Sequence, residues 1–267
     1  MVMYRFFGAA FAVALVSFMA SFAYADEPVL YNQPQYCPIP NVIQKSVFFP
    51  GNYEFNCDHA NFSSKWSKAT QQNRDSIALL ERCLAGDPAC NNFKNFAAWK
   101  NLILVERRHN RTLEKILSIH EFFNDTVEYR TDQEMYGEND VWMAHADVLK
   151  TGNGDCEDIA LAKYYTILMA LNAGENPDVR VVILLEKKNK LSHSVMVVRT
   201  DRQTITLDNN PDAKMTDYFN YQNIVPVYSM TEKSSLCHAR PIGHKGNCPV
   251  LPEWTYPAAA GFDTINE

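Results

Sequence analysis

Gly152-Asn153-Gly154-Asp155-Cys156-Glu157-Asp158, followed directly by an apolar run from Ile159 to Leu171 and closed by Asn172 and Gly174, reads as a turn feeding a helix. Asp155 stands where an N-cap belongs, and Asp158, three residues on, can return the bond, which places Cys156 in the first turn. The first N–H groups of a helix have no partner within it, and with the helix dipole they favour an anion there. A thiolate is such an anion, and it is the nucleophilic form of cysteine. Three carboxylates around one thiol act the other way. Asp155, Glu157 and Asp158 raise its pKa unless they point away, ionise against the helix N-terminus, or are neutralised by a cation. The plainer alternative is a buried thiol beside acids that merely complement a helix N-terminus.

Downstream of the helix, residues 179–185 and 194–198 are rich in β-branched side chains and 204–207 alternates, so three strands are predicted. A cysteine nucleophile needs a base held by a third group. Centring a hairpin turn on Thr200-Asp201 sets His193 opposite Asp208, Val195 opposite Thr206 and Met196 opposite Ile205. Cys156, His193 and Asp208 are therefore the candidate catalytic set. The competing reading is a buried thiol with an unrelated His–Asp pair at a strand edge.

Upstream, residues 62–83 and 93–124 carry helical patterns, with Leu113, Ile116, Leu117 and His120 at helical spacing and Thr112 placed to cap the last helix. His109 and His120 read as helix-face residues of this first lobe. A polar stretch, 129–140, then leads to Trp142. Prolines at 28, 34, 38, 40 and 50 mark an irregular entry segment, and prolines at 241, 249, 252 and 257 an irregular tail. The expected organisation is a leader over 1–25, an entry segment over 26–61, a helical lobe over 62–130, a core over 131–230 and a tail over 231–267.

The leader carries one charge, Arg5, then an apolar stretch from Phe6 to about Val16, and ends on Ala23-Tyr24-Ala25, a small-x-small pattern suited to signal peptidase. Cleavage near Ala25 would make the protein periplasmic or secreted. An uncleaved anchor is the alternative, since Phe6 to Tyr24 is just long enough to span a bilayer. Outside the cytoplasm thiols tend to pair, and the chain has 7 cysteines, an odd number. Short separations suggest Cys83 with Cys90, Cys237 with Cys248 and Cys37 with Cys57, which leaves Cys156 over. Cys237, His238, His244 and Cys248 fit no standard zinc spacing, so a disulfide is the preferred reading there.

With 267 residues, 46% of them hydrophobic and 21% charged, the chain can bury a full core and is neither disordered nor collagenous. A net charge of -6 argues against a nucleic-acid partner held by charge, because displacing phosphate counterions needs excess cation.

The run Gly154-Asp155-Cys156-Glu157-Asp158 with Ala162-Lys163-Tyr164, then Ser192-His193-Ser194-Val195, then Leu207-Asp208-Asn209, resembles the bacterial transglutaminase-like cysteine proteinases, and within them the LapG-type periplasmic proteases. The resemblance covers about 96–228, including Asn124, Asp132, Gly137, Asp140 and Trp142. It implies an α+β, papain-like or transglutaminase-like fold, with a helical N-terminal lobe packed on an antiparallel sheet. It further implies peptide hydrolysis by a Cys156–His193–Asp208 triad. An oxyanion hole would use the Cys156 N–H and a donor near Trp142. Calcium would be bound next to the nucleophile through Asp155, Glu157 and Asp158, with a large surface adhesin as substrate, an effect on attachment or biofilm, and an inner-membrane receptor as regulator. The sequence departs from the family pattern at Ala144-His145-Ala146-Asp147, in its other cysteines and in its tail. Acyl transfer to an amine, or binding without catalysis, are the competing functions for the same fold.

Overall fold

The structure is a computed structural model that describes residues 44–56, 60–138, 140–186, 191–200, 204–210, 224–242 and 245–247. Short strands β1 (Gln44–Lys45) and β2 (Tyr53–Asn56) precede the helices α1 (Ala60–Leu84), α2 (Phe96–Glu106) and α3 (Thr112–Thr126). Then come β3 (Glu128–Tyr129), α4 (Asp132–Tyr136), α5 (His145–Thr151), β4 (Asn153–Gly154) and α6 (Cys156–Ala170). The strands β5 (Asp178–Glu186), β6 (Leu191–Arg199), β7 (Thr204–Leu207), β8 (Ile224–Met230), β9 (Ser235–Ile242) and β10 (Lys245–Asn247) follow among the described residues.

α6 is the axis of the molecule. Of its 15 residues, 12 are buried, so it is covered on all sides instead of showing one apolar stripe. It packs against α1, α2, α3 and α5 and lies on β5 and β6. Leu161, Ala162, Tyr165 and Ile167 are fully enclosed together with Trp99, Ile119 and Phe123 from the surrounding helices. Each such Leu or Ile contributes about 1.5–3 kcal/mol by leaving water.

The sheet is antiparallel throughout, in the order β1-β2-β9-β8-β5-β6-β7, with β10 on β9. β5 lies at its interior and is buried on both faces. Val181, Ile183 and Leu185 join the core around α6, while Val182 and Leu184 join Phe48, Phe49, Val195 and Val197 on the other face. This is why 181–185 reads as a continuous apolar run without alternation. On that far face the Arg180 guanidinium bonds Glu54 at 2.9 Å, and His238 Nε2 lies 2.8 Å from the Ser229 hydroxyl.

The three strands expected after the helix are present as β5, β6 and β7. The segments expected to be irregular differ from that reading: 26–61 contributes β1, β2 and the start of α1, and 231–267 contributes β9 and β10. β2 and β9 gain their place by pairing with each other, a contact between chain ends that local patterning does not reveal. Thr112 is the first residue of α3 and does not cap it; Arg111 is the N-cap, and the Thr112 hydroxyl donates to Glu175 at 2.8 Å. Cys83 and Cys90 form the expected disulfide, and Cys156 is the free cysteine among the described residues. Cys237 is disulfide-bonded. Its expected partner Cys248, the Cys37–Cys57 pair, His244 and the leader lie outside the described residues. No helix among the described residues is long and apolar enough to cross a membrane.

Candidate active site

The nucleophile helix is aimed by the chain just before it. α5 ends at Gly152, whose φ of 68° is left-handed and whose N–H closes onto the Val148 carbonyl at 2.8 Å. A side chain there would also meet Lys94, 2.5 Å from the position of a Cβ. Asn153 and Gly154 then pair in parallel with Glu128 and Tyr129, which ties the turn to the end of α3. Asp155 is the extended N-cap and Cys156 the first residue of α6. The Cys156 thiol donates to Glu157 Oε2 at 3.1 Å, and the backbone N–H of Ser194, the residue after His193, is near enough to favour its thiolate.

His193 Nε2 lies 2.8 Å from Asp208 Oδ1. The ladder that brings them together is shifted by two residues from the expected one: Met196 faces Leu207 and Val197 faces Thr206. Side chains alternate with a period of two, so this shift keeps both residues on one side of the hairpin and makes them a diagonal pair. Asp208 is 4% exposed and sits just past β7. Its Oδ1 also accepts the Asn210 N–H at 2.9 Å, and its carbonyl accepts the Asn124 amide at 3.0 Å.

The acids around the thiol divide into two kinds. Asp158, fully buried, accepts the Met143 N–H on Oδ1 at 2.7 Å and the Asp155 N–H on Oδ2 at 3.4 Å. It is engaged with backbone. Asp155 and Glu157 bring their carboxylates together with the Cys156 sulfur, and Asp132, Asp140 and Glu157 form a second convergent group, in each case with candidate ligand atoms within 4.8 Å of one another. Burial, and then the neighbouring Glu157 charge, push the Asp155 and Asp158 carboxyls well above the usual carboxylate range. Burial raises Asp132 to about 6, against the Val141 N–H that its other oxygen accepts. Burial, followed by the charges of Glu157 and Asp155, also raises the Cys156 thiol, while the Ser194 N–H works to lower it.

Buried oxygens without a partner reveal what this cluster lacks. Asp132 Oδ1, Asp155 Oδ1 and Asn153 Oδ1 are all buried and unbonded. An uncompensated buried carboxylate oxygen is costly, and a hard divalent cation takes oxygen ligands of this kind. The residues fit calcium chemistry. Asp132 and Asp140 stand among the residues of the family resemblance but not among the ligands expected from the sequence, since they lie in a polar stretch apart from the cysteine run. A local signal for Asp132 is Thr131-Asp132-Gln133-Glu134, a capping box that starts α4 and places Asp132 as a buried first-turn residue.

Around Trp142, the indole N–H donates to Asp140 at 3.0 Å and Lys65 stands 5.1 Å over the same ring. The Met143 N–H is taken by Asp158. Beside them is a pocket lined by Tyr136, Val141, Trp142, Met143, Ala144 and Asp147. Trp142, Ala144 and Asp147 thus stand together on its wall.

The family model for bacterial transglutaminase-like cysteine proteinases matches residues 58–225. The chain belongs to this family. It is accordingly a cysteine peptidase with a transglutaminase-like, papain-like α+β fold. Among solved structures, Legionella pneumophila LapG is 23% identical, with 54% of this chain and 78% of that one covered at a TM-score of 0.46. Its calcium-bound form is 22% identical, with 67% and 94% covered at 0.48. A putative cysteine protease from Cytophaga hutchinsonii is 13% identical, with 55% and 59% covered at 0.33. No curated protein matches the chain. In this transglutaminase-like proteinase the matched span begins just before α1 and ends at the start of β8, so it includes α6, His193 and Asp208.

Proposed function

We propose that the protein is an exported, calcium-dependent endopeptidase that uses Cys156, His193 and Asp208 and processes a large cell-surface adhesin, so controlling attachment or biofilm. The observation that carries the reading is the His193–Asp208 contact of 2.8 Å together with a free thiol at the head of α6 that feels the backbone N–H of Ser194, the residue after His193.

The chemistry follows from these positions. With the His193 Nε2–H given to Asp208, Nδ1 is left to take the thiol proton, and the Asp208 carboxylate steadies the imidazolium that forms. The Cys156 sulfur then bonds to the scissile carbonyl carbon, and His193 delivers its proton to the departing amine as the C–N bond breaks. His193 next takes a proton from water, whose oxygen displaces the sulfur and frees the acid. The N–H of Cys156, in the first turn of α6, supports the developing oxyanion.

Calcium would be held by Asp155, Glu157, Asp132 and Asp140, with Asn153 as a further oxygen donor. Its charge would offset the carboxylates that hold the thiol protonated. Asp158, placed among the ligands by its sequence position, has both oxygens on backbone N–H groups and serves here to fix the head of α6. The motif likeness to LapG-type proteases supports the adhesin substrate and an inner-membrane receptor as regulator. The apolar leader ending Ala23-Tyr24-Ala25 supports a periplasmic or secreted location after cleavage near Ala25.

The test is incubation with adhesin fragments and, separately, with a protein glutamine donor plus an amine, read by mass spectrometry. New termini that vanish in Cys156→Ala are expected. Amine adducts without new termini would instead make the protein an acyltransferase, and neither product would make it a binding protein.

A further inference from the structure

α6 carries a second buried polar residue that the reaction leaves unused. Lys163 follows Cys156 by seven residues, close to two helical turns, so both project from one face of α6. Its side chain is fully buried, and a lysine is almost never enclosed unless paired. Nζ lies 3.5 Å from the carbonyl oxygen of Leu207, the residue before Asp208. Burial lowers the Lys163 amine to about 7, while the charge of Asp208 favours its protonated form.

His120 of α3, 5% exposed and with Nδ1 unbonded, is lowered to about 4, first by burial and then by the Lys163 charge. It is therefore neutral through the range in which Asp208 must act as an anion. Asn124 of α3 is neutral and bonds the Asp208 carbonyl. His193 of β6 meets the Asp208 carboxylate at 2.8 Å. Lys163 is thus a buried cation close enough to feel the Asp208 carboxylate.

We propose that Lys163 is a positioning residue for the triad: its ammonium anchors the end of β7 and keeps Asp208 ionised, so that Asp208 can hold the His193 imidazolium. The inference rests on the triad reading. An opposite charge nearby favours the charged form of a carboxylate, so removing this one raises the pH below which Asp208 is lost as an anion. Above about 7 the wild-type amine is itself neutral, and the difference between wild type and a neutral variant narrows.

The experiment compares kcat/KM against pH for wild type and Lys163→Met in calcium-containing buffer, with Cys156→Ala as the reference. The acid limb of Lys163→Met is expected about one pH unit higher, with the deficit shrinking above neutrality. A loss of the same factor at every pH, or no loss, overturns the inference. For a variant that does not fold, wild type and Asp208→Asn carrying 13C-labelled lysine are titrated by NMR. The lysine signal with a midpoint near neutrality should move about one unit lower in Asp208→Asn. An unmoved midpoint, or no such signal, overturns the inference equally. Activity surviving in Cys156→Ala would instead defeat the triad itself, a separate outcome.

Discussion

His193 Nε2 and Asp208 Oδ1 are 2.8 Å apart, yet the two residues are not partners across the β6–β7 ladder, whose register sets Met196 against Leu207. Extended by one residue, that register brings Asp208 alongside Val195. The carboxylate reaches the imidazole from a position beyond the strand, held there by the Asn210 N–H and, through its carbonyl, by Asn124.

Asp208→Asn should therefore lower kcat on the order of 10³–10⁴-fold with little change in KM, because the amide cannot steady an imidazolium. Steady-state kinetics check this. A variant within a few-fold of wild type would remove Asp208 from the reaction.

The two kinds of acid beside the thiol should separate on substitution. Glu157→Gln and Asp132→Asn are expected to weaken calcium binding by at least tenfold in calorimetric titration while the calcium-free melting temperature holds or rises, since each removes one of several crowded charges. Asp158→Asn should instead lower chelator-treated stability by about 1–3 kcal/mol, because one oxygen that accepts a buried N–H becomes a donor. Equal effects of all three would erase the distinction.

pH supplies an independent check on the cluster. Asp132 binds its proton more tightly folded, at about 6, than at its ordinary 3.8. The folded state therefore loses stability as pH rises between those values, and this group adds no further loss above about 6. In chelator, the urea midpoint should fall from pH 4 to pH 6.5, and saturating calcium should flatten the decline. A midpoint that rises steadily over the interval in chelator would contradict the arrangement.

Gly154→Ala should disturb the approach to the nucleophile. A Cβ at Gly154 would lie 2.9 Å from the Cβ of Asp158, so Asp158 must shift and its bond to the Met143 N–H loosens. We expect a drop in both melting temperature and kcat, read by thermal melts and kinetics. A silent substitution would mean that the head of α6 tolerates displacement.

Replacing Cys83 and Cys90 by serine should cost about 2.5 kcal/mol, the loop-closure entropy of so short a ring, and leave kcat unchanged at a temperature where the variant is folded. Denaturant melts measure the first, and a loss of activity in folded protein would show that the bridge supports the site.

Much of this site could be read from residue order alone. The turn at 152–155 and the apolar run after Asp158 define α6, and β-branched runs define β5, β6 and β7, because those signals are local. His193 and Asp208 were legible as neighbours even though the turn was centred differently, since an even slip preserves the face. β2 and β9 were not legible, because each is made a strand by its distant partner. Asp132 and Asp140 escaped for a related reason: only the packed chain shows that Asp132 is buried and that its carboxylate converges with those of Asp140 and Glu157.

The order of the sheet also constrains how the molecule can be assembled. Residues 53–56 border β1 on one side and β9 on the other, so the join that sets this early ribbon into the main sheet waits for residues 235–242. A polypeptide emerging from the ribosome or a translocation pore must carry that early segment unjoined for nearly its whole length. A premature stop ahead of Ser235 would strand Phe55 without its neighbour Cys237, exposing a sticky edge in a chain that already contains every residue of the triad.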